Sequence, residues 1–298
     1  MSDQHPLLAH AAQQSYPASC LYIVATPIGN TADITFRALH VLSTVAAIAC
    51  EDTRNTSQLL KQLGLSKPLI AAHQHNENEV ALKIIQRLQT GESIALVSDA
   101  GTPAVSDPGA RIVDAVRAAG LKVVPLPGAS AVISALSASG LIQDQFYFVG
   151  FLPSKAGQRD SALNKLIAVP ATLVFYEAPH RIVETVNALA AIFPPNRKIV
   201  LARELTKLFE EIHRCDVADA AAWLAADSHR EKGEYVVLLE GASQDADAEL
   251  TEAKRVLTIL LDSCSVKQAA QLAAQLTGQK KNGLYELALN LQKSVLPP

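Results

Sequence analysis

Residues 98–109 read SDAGTPAVSDPG and form a long polar turn in the first half of the chain. An apolar run at 94–97 enters this turn, and a helical pattern at 111–119 leaves it. This order of strand, turn and helix is typical of α/β binding loops, which lie at the carboxyl ends of strands. Its glycines permit positive φ angles, and its prolines fix φ and remove backbone donors. Because a connection this long and this constrained is usually functional, we interpret it as a ligand loop rather than an ordinary surface loop.

The same alternation extends to both sides of this turn. Short apolar runs predict further strands at 21–25, 45–50, 69–71 and 122–126. A polar turn follows each of them, with the sequences TPIGN at 26–30, EDTR at 51–54, HQHN at 73–76 and PGAS at 127–130. Strands that alternate with helices indicate a parallel sheet covered by helices. All of these turns are therefore expected at one edge of the sheet, where α/β proteins bind ligands.

After Gly140 the pattern changes to a second α/β region with more antiparallel hairpin character. Strands are predicted at 146–151, 172–176, 198–202, 211–215 and 235–240, with helices at 160–168 and 217–226. Residues 241–248 are small and acidic, as in a linker, and three helices follow in a layout similar to a helix-turn-helix. We therefore expect a flexible tail at 1–18, an N-terminal α/β domain at 19–140, a C-terminal α/β domain at 141–242 and a helical module at 250–298.

Composition narrows the class of protein. The chain has 298 residues, 49% of them hydrophobic, and a net charge of −3, so it has a large core and no overall basic field. Its four cysteines are far apart and form no CxxC pair, which argues against a zinc site or a disulfide framework. No apolar run reaches the roughly 18 residues of a membrane span. We expect a cytoplasmic protein with no membrane segment and no metal.

Common nucleotide and hydrolase motifs are missing from the sequence. It has no GxGxxG after the first predicted strand, no GxxxxGK[ST], no GxSxG and no HExxH. The predicted ligand turns are instead rich in small residues and backbone turns. Such turns suit a flat, hydrogen-bonding ligand held mainly by main-chain groups, such as an adenosine moiety.

Six motifs together carry a family resemblance that covers residues 21–241. They are ATPIGN at 25–30, EDTR at 51–54, HQHNE at 73–77, the turn at 98–109, PGASA at 127–131 and RELTK at 203–207. In this order and spacing they resemble the small-subunit ribosomal RNA methyltransferase I family. That family has the tetrapyrrole-methylase fold, and the helices at 250–298 are similar to its helix-turn-helix extension. Where most members of that fold have Gly-Asp-Pro, this chain has Asp99-Ala100-Gly101, which matches the ribosomal subgroup.

The resemblance implies an α/β protein with two domains of the tetrapyrrole-methylase fold and a ligand cleft between them. It implies that S-adenosylmethionine binds in this cleft and that the methyl group goes to a cytidine ribose 2′-hydroxyl in small-subunit (16S) ribosomal RNA. We also expect that the partner of this chain is a second copy of itself, in a homodimer. Carried over by motif, the cofactor contacts are Pro27, Gly29, Ser98, Asp99, Ala100, Gly101, Thr102, Ser130, Ala131, Tyr176 and Leu205.

A ribose hydroxyl is a poor nucleophile and must lose its proton during attack, so a general base or a cationic neighbour is expected. The candidate catalytic residues at strand ends are Asp52, Arg54, His75, Glu204 and Lys207, with Glu51 and Glu177 as further possible bases. Asp52 and Arg54 also have the spacing of a simple ion pair, and His75 that of a residue at a helix entry. The sequence does not select the base.

Two other functions remain open at this point. One is a porphyrinoid C-methyltransferase, and the other is an RNA-binding ribosome factor without a cofactor. RNA binding by a chain of net negative charge requires a concentrated basic surface. The sequence offers basic residues near the predicted cleft and on the terminal helices, namely Lys155, Arg159, Arg181, Arg203, Lys207, Lys267, Lys280 and Lys281.

Overall fold

The computed structural model describes residues 6–242, 246–279 and 281–295. It divides into two compact units. The first unit extends to Ile167 and continues from Ala171 to Glu240, and the second consists of residues 168–170 and the chain from Gly241 onward. Both predicted α/β domains lie in the first unit, and the helices predicted near the carboxyl end lie in the second. The exact domain boundaries remain predictions.

The first sheet is parallel, as predicted. Its strands are β1 (Cys20–Val24), β2 (Ala47–Cys50), β3 (Leu69–Ala71), β4 (Ile94–Leu96) and β5 (Lys122–Leu126). They lie in the order β3-β2-β4-β1-β5, and each neighbouring pair is parallel. Every residue of β1, β2 and β4 is buried, because helices cover both faces of the sheet. This explains why these strands appear in the sequence as continuous apolar runs.

Helices precede, connect and follow these strands. They are α1 (Pro6–Ala12), α2 (Phe36–Thr44), α3 (Thr53–Gln62), α4 (Glu77–Gln89), α5 (Ala110–Ala118) and α6 (Ala131–Ser139). The expectation of a flexible tail at 1–18 is wrong for α1, because Ala11 is buried and its carbonyl accepts a 2.8 Å hydrogen bond from the Tyr16 hydroxyl. Tyr16 in turn packs against the core of the first sheet.

The second sheet is mixed. Its strands are β6 (Phe146–Phe151), β7 (Thr172–Glu177), β8 (Lys198–Arg203), β9 (Glu211–Asp216) and β10 (Tyr235–Leu239), in the order β6-β7-β10-β8-β9. Only β6 and β7 pair in parallel, so the expected antiparallel character is confirmed. The helices are α7 (Ala156–Asn164), α8 (Ile182–Ile192) and α9 (Ala220–Ala225). Helix α7 begins four residues earlier than predicted, which buries Arg159 and Leu163 on one face.

Helix α6 ties the two sheets together. It leaves β5 of the first sheet, yet its buried residues Val132 and Ala135 pack against Val174, Val200 and Leu238 of the second sheet. The chain therefore crosses from one α/β region to the other through a shared hydrophobic core. This packing places the turn at 127–130, which opens α6, between the two sheets.

The second unit contains three helices, as predicted. They are α10 (Ala246–Leu261), α11 (Val266–Thr277) and α12 (Lys281–Val295). Ser265 caps α11 in a capping box with Gln268, and Gly278 ends it with φ +71. Small and aliphatic side chains such as Leu257, Ala270 and Leu284 form its core. Within the described residues, no helix is long and apolar enough to cross a membrane.

Candidate active site

A cavity of about 270 Å³ lies where the turns of the first sheet meet the second sheet. Both sheets contribute to its wall, and all of its lining residues belong to the first unit. The lining residues are Ile28, Ala100, Gly101, Thr102, Val105, Asp107, Ser130, Ala131, Phe151, Tyr176, Glu177, Ala178, Pro179, Glu204, Leu205, Lys207, Glu234, Tyr235 and Val236.

The 98–109 turn forms one wall of the cavity, and its backbone is unusual. Gly101 has φ +79 and pairs with Thr26 through two hydrogen bonds, each residue's N–H donating to the other's carbonyl at 2.9 and 3.0 Å. Ala104 and Ser106 also have positive φ angles, of 65° and 70°, although neither is glycine. Non-glycine residues keep such conformations only where the surroundings impose them, and they concentrate at functional sites.

Two predicted cofactor residues, Ser98 and Asp99, hold the backbone of this turn in place through hydrogen bonds. The Ser98 hydroxyl lies 3.2 Å from the carbonyl oxygens of both Ala100 and Gly101. The Asp99 carboxylate accepts hydrogen bonds from the Asp52 backbone N–H, at 3.2 Å, and from the Asn55 amide, at 2.7 Å. Neither side chain lines the cavity. They shape the backbone that does.

The start of α6 forms a second wall. The Thr102 hydroxyl donates to the Ala129 carbonyl at 3.0 Å, which joins this wall to the 98–109 turn. A Cβ atom on Gly128 would lie 2.6 Å from the Ala25 Cβ atom, so only glycine allows the helix start to approach β1 this closely. Ser130 caps α6 without using its side chain, and both Ser130 and Ala131 line the cavity.

Residues 204–210 form a third wall, called here the 204–210 turn. Glu204 and Thr206 have φ angles of 48° and 67°, again left-handed without glycine. The Asn30 backbone N–H donates to the Thr206 hydroxyl at 3.1 Å, so the turn that follows β1 rests on the 204–210 turn. Leu205, whose side chain is buried, lines the cavity together with Glu204 and Lys207.

Lys207 lies between two carboxylates at this wall. Its Nζ atom is 2.8 Å from Glu204 Oε1 and 2.8 Å from Glu234 Oε2. Burial opposes the charge of Lys207, but the bonds to Glu204 and Glu234 outweigh it and raise the pKa of the ammonium group. Burial likewise acts against the charge of Glu204, while its bonds to Lys207 and the Glu234 N–H bring the pKa of that carboxyl below its usual value. Both groups are therefore charged at neutral pH.

The end of β7 contributes an aromatic ring and a buried carboxylate. The Tyr176 ring lies 5.1 Å from that of Phe148 and 5.6 Å from that of Phe151, centroid to centroid. The Glu177 carboxylate accepts a 2.6 Å hydrogen bond from the Thr185 hydroxyl and lies 3.2 Å from Arg181 Nε. Glu177 is thus held in place by its neighbours, with both oxygens occupied.

Asp107 is a cavity residue that the sequence candidates did not include. It lies in the 98–109 turn and lines the cavity. Burial raises the pKa of Asp107, and although a hydrogen bond with Ser98 lowers it, the nearby Asp99 carboxylate raises it further. The position of Asp107 in the constrained turn was the available signal, but nothing in the sequence separates it from Asp99.

The structure brings together seven of the predicted cofactor residues at this cavity and leaves four in supporting places. Those at the cavity are Ala100, Gly101, Thr102, Ser130, Ala131, Tyr176 and Leu205. Pro27, Gly29, Ser98 and Asp99 do not line the cavity. Of the predicted catalytic residues, Glu204 and Lys207 line the cavity.

The other predicted catalytic residues, Asp52, Arg54 and His75, do not line the cavity. Arg54 Nη2 lies 2.6 Å from Asp52 Oδ2, and this hydrogen bond lowers the pKa of Asp52 to about 2. Asp52 also caps α3 through the Arg54 N–H, so the two residues form the ion pair that their spacing allows. The strand order explains the distance, because β2 and β3 occupy one end of the sheet while the cavity adjoins β4, β1 and β5.

The prediction of a basic surface around the cleft is wrong for most of the residues it named. Arg159 and Arg203 are buried, the first paired with Glu184 at 3.0 Å and the second bonded to the Lys232 carbonyl at 2.6 Å. Arg181 faces Glu177, and Lys207 lies between its two carboxylates. Of the cleft residues, Lys155 is exposed, as are Lys267 and Lys281 in the second unit. Lys280 lies outside the described residues.

Comparison with known proteins agrees with this architecture. The family described as Tetrapyrrole (Corrin/Porphyrin) Methylases matches residues 20–221, and the RsmI C-terminal HTH domain matches residues 247–292. The uroporphyrin-III C-methyltransferase of Thermus thermophilus, solved with S-adenyl homocysteine, has the same fold. Its TM-score is 0.52 at 17% identity, over 74% of this chain and 96% of that one.

Sequence relatives narrow the family further. The protein of Pseudomonas aeruginosa named ribosomal RNA small subunit methyltransferase I is 49% identical, over 92% of this chain and 98% of its own length. The protein of the same name from Vibrio cholerae serotype O1 is 50% identical, over 91% of this chain and 95% of its own length. The chain therefore belongs to the ribosomal RNA small subunit methyltransferase I family, within the tetrapyrrole methylases.

Proposed function

We propose that this protein is an S-adenosylmethionine-dependent methyltransferase that modifies a cytidine ribose 2′-hydroxyl in small-subunit ribosomal RNA. The names of its relatives support the RNA substrate and the methyl transfer. The observation that carries the proposal is a single cavity whose wall is built from turns of both sheets. Ligands of α/β proteins bind at such strand ends.

The cavity wall fits S-adenosylmethionine in shape and in polarity. The cavity volume, about 270 Å³, is close to the lower limit of the roughly 300–1,000 Å³ that small-molecule pockets occupy. Gly101 brings the main chain to the wall without a side chain, Ser130 and Ala131 leave room beside the helix start, and Tyr176 offers an aromatic surface. We assign the cofactor contacts to the predicted residues on the wall, with Pro27, Gly29, Ser98 and Asp99 as their supports.

The charge of the wall also suits this cofactor. Four carboxylates line the cavity, and Lys207 is the one ammonium group on this wall. Their excess negative charge favours a cationic ligand and opposes an anionic one. When bound, S-adenosylmethionine supplies an electrophilic methyl group on a positively charged sulfur. The carboxylates therefore stabilise the charge that the cofactor brings.

We assign the role of proton acceptor to Asp107. Glu177 has both oxygens occupied by Thr185 and its neighbours, and Glu204 has a lowered pKa because of Lys207. Asp107 has a raised pKa instead, and a base becomes more effective as its pKa approaches the working pH. Its carboxylate takes the proton from the ribose hydroxyl as the oxygen attacks.

Lys207 acts as a cation rather than as a base. Its raised pKa keeps it protonated at neutral pH, so it has no free electron pair for a proton. Glu204 and Glu234 fix its position at the cavity wall. From there the ammonium group stabilises negative charge that develops on the ribose oxygen. Asp52, Arg54 and His75 do not line the cavity, and we assign them no part in the transfer.

A methylation assay on small ribosomal subunits tests this function. Subunits from cells that lack the protein are incubated with the purified protein and S-adenosylmethionine. The RNA is then hydrolysed in alkali. A ribose 2′-O-methyl group leaves one alkali-resistant linkage, at a cytidine if the proposed nucleotide is correct. Methylation of a porphyrinoid with none of RNA would instead establish the tetrapyrrole alternative.

Two finer assignments accompany this function. We propose a homodimer, supported by the exposed aromatic residues Phe146 and Tyr147 on β6, an edge strand of the second sheet. Exposed apolar groups on an edge strand mark association surfaces. Light scattering on the purified protein tests it, and a monomeric mass at assay concentrations contradicts it. Because ribosomal subunits are cytoplasmic, we place the reaction in the cytoplasm.

A further inference from the structure

The 204–210 turn is held in place on several sides. Arg203, buried beneath it, donates to the Phe209 carbonyl at 3.3 Å and to the Lys232 carbonyl at 2.6 Å. The Glu210 carboxylate accepts a 2.6 Å hydrogen bond from the Thr206 N–H across the turn. A Cβ atom on Gly233 would lie 2.5 Å from Glu204 Cγ, so the neighbouring chain packs tightly against the turn. The backbone of this turn is therefore well determined by its contacts.

Two large apolar side chains project from this rigid turn into solvent. Leu208 is 89% exposed and Phe209 is 68% exposed, and we call this pair the apolar tip. The apolar tip directly follows Lys207, which lines the cavity. Neighbouring apolar residues presented together on a fixed backbone mark an interaction site, since isolated exposed residues are common but such pairs at a site are not.

We propose that the apolar tip is a contact surface for nucleobases of the RNA substrate beside the target nucleotide. This inference rests on the proposed function. Proteins recognise unpaired RNA by stacking bases on aromatic side chains, and a base next to the target ribose must lie at the mouth of the cavity. Phe209, two residues after Lys207 of the cavity wall, provides an aromatic face for such a base, and Leu208 adds apolar surface beside it. A preorganised surface of this kind loses little conformational freedom on binding.

The charge around the apolar tip favours bases over phosphates. Residues 203–211 and 230–234 contain four basic and five acidic side chains. Arg203 is buried under the turn, Lys207 is held by Glu204 and Glu234, and Arg230 pairs with Glu211 at 3.1 Å. Three of the four cations are thus already engaged within the protein, and the fourth, Lys232, is exposed. The contact made by the apolar tip is therefore expected to be nearly independent of salt, unlike a phosphate contact.

Three substitutions in the full-length protein test this surface. Phe209→Ala removes the ring, Phe209→Tyr keeps it, and Leu82→Ala is the control, because Leu82 is 64% exposed on α4 and does not line the cavity. Binding of small-subunit RNA is measured directly, and the KM for subunits is measured where methylation occurs. We expect Phe209→Ala to lower the RNA affinity and to raise the KM, each by roughly 5- to 150-fold, the range for one stacked base. Phe209→Tyr and Leu82→Ala should stay near wild type.

The same variants separate this inference from its alternatives. Affinity for S-adenosylmethionine and the melting temperature should not change in Phe209→Ala, because the side chain is exposed. The fold-loss in RNA affinity should be the same at low and high salt, and a smaller salt slope would show a phosphate contact and overturn the proposal.

Two further outcomes overturn it. One is an RNA affinity of Phe209→Ala equal to that of the wild type. If the wild-type protein also methylates subunits, the proposed function stands while the proposal for the apolar tip fails. The other is a change in oligomeric state with RNA binding unchanged, which assigns the apolar tip to a second copy of the chain. Conversely, loss of RNA binding in Phe209→Ala supports the surface even if the wild-type protein transfers no methyl group.

Discussion

Gly29 lies directly against Lys207. A Cβ atom at position 29 would come within 2.5 Å of Lys207 Cγ, and within 3.0 Å of the Leu205 carbonyl oxygen. One residue belongs to the turn after β1, and the other to the turn after β8. The two turns therefore meet at position 29 with no space for even a methyl group, and this close approach restricts where the stem of the Lys207 side chain can lie.

Gly29→Ala should displace the 204–210 turn, because the carbonyl oxygen of Leu205 is backbone and cannot move alone. We expect at least a tenfold loss of kcat/KM, which corresponds to about 1.4 kcal/mol of transition-state stabilisation. Gly157→Ala on α7 is the matched control, since its added methyl group meets nothing within 4 Å. Equal kcat/KM in both variants would show that the contact between Gly29 and Lys207 does not matter for the reaction.

Gly101→Val should abolish S-adenosylmethionine binding while the protein remains folded. Gly101 has φ +79, and a β-branched residue resists this conformation, so the turn that lines the cavity must change. Gly91→Val is the control, because Gly91 has φ +98 and its added atom meets nothing within 4 Å, outside the cavity wall. Titration calorimetry measures both variants. If Gly91→Val also loses binding, the loss in Gly101→Val comes from general backbone strain and not from a changed cavity wall.

Asp107→Asn should lower kcat strongly and leave the affinity for S-adenosylmethionine within a few fold. The raised pKa of Asp107 means that the wild-type kcat rises with pH as this carboxyl loses its proton, and then levels off. The rise should be absent in Asp107→Asn. Asp114→Asn, an exposed carboxyl on α5, should keep the wild-type profile. A pH profile in Asp107→Asn that matches the wild type excludes Asp107 as the base.

Lys267→Ala and Lys281→Ala test whether the second unit contacts RNA phosphates. Both residues are exposed at the starts of their helices. If each contacts one phosphate, each substitution should weaken RNA binding and reduce the salt slope by about one unit. Lys83→Ala is the control, because Lys83 is paired with Glu79 on α4. Unchanged slopes in the lysine variants would leave α11 and α12 with a structural role only.

The sequence by itself determined the elements of this protein and much of the wall of its site. Continuous apolar runs predicted β1, β2 and β4, because strands buried on both faces have no polar side. Ser265 and Gly278 lie at the ends of α11 and are end signals that the sequence alone displays, since caps depend on neighbours along the chain. The constrained turn at 98–109 was recognisable for the same local reason, and it lines the cavity.

Only the tertiary structure decided which strand-end turns reach the cavity. Turns after β2 and β3 have the same local pattern as those after β1, β4 and β5, but the strand order β3-β2-β4-β1-β5 places them on the side of β4 away from β1 and β5. Asp52 and Arg54 therefore pair with each other, while Asp107 and Lys207 line the cavity. The contact of Gly29 with Lys207 likewise joins residues that are distant in the chain. Local sequence encodes turns and caps through neighbouring residues, whereas strand order and contact between sheets arise from the packing of the whole core.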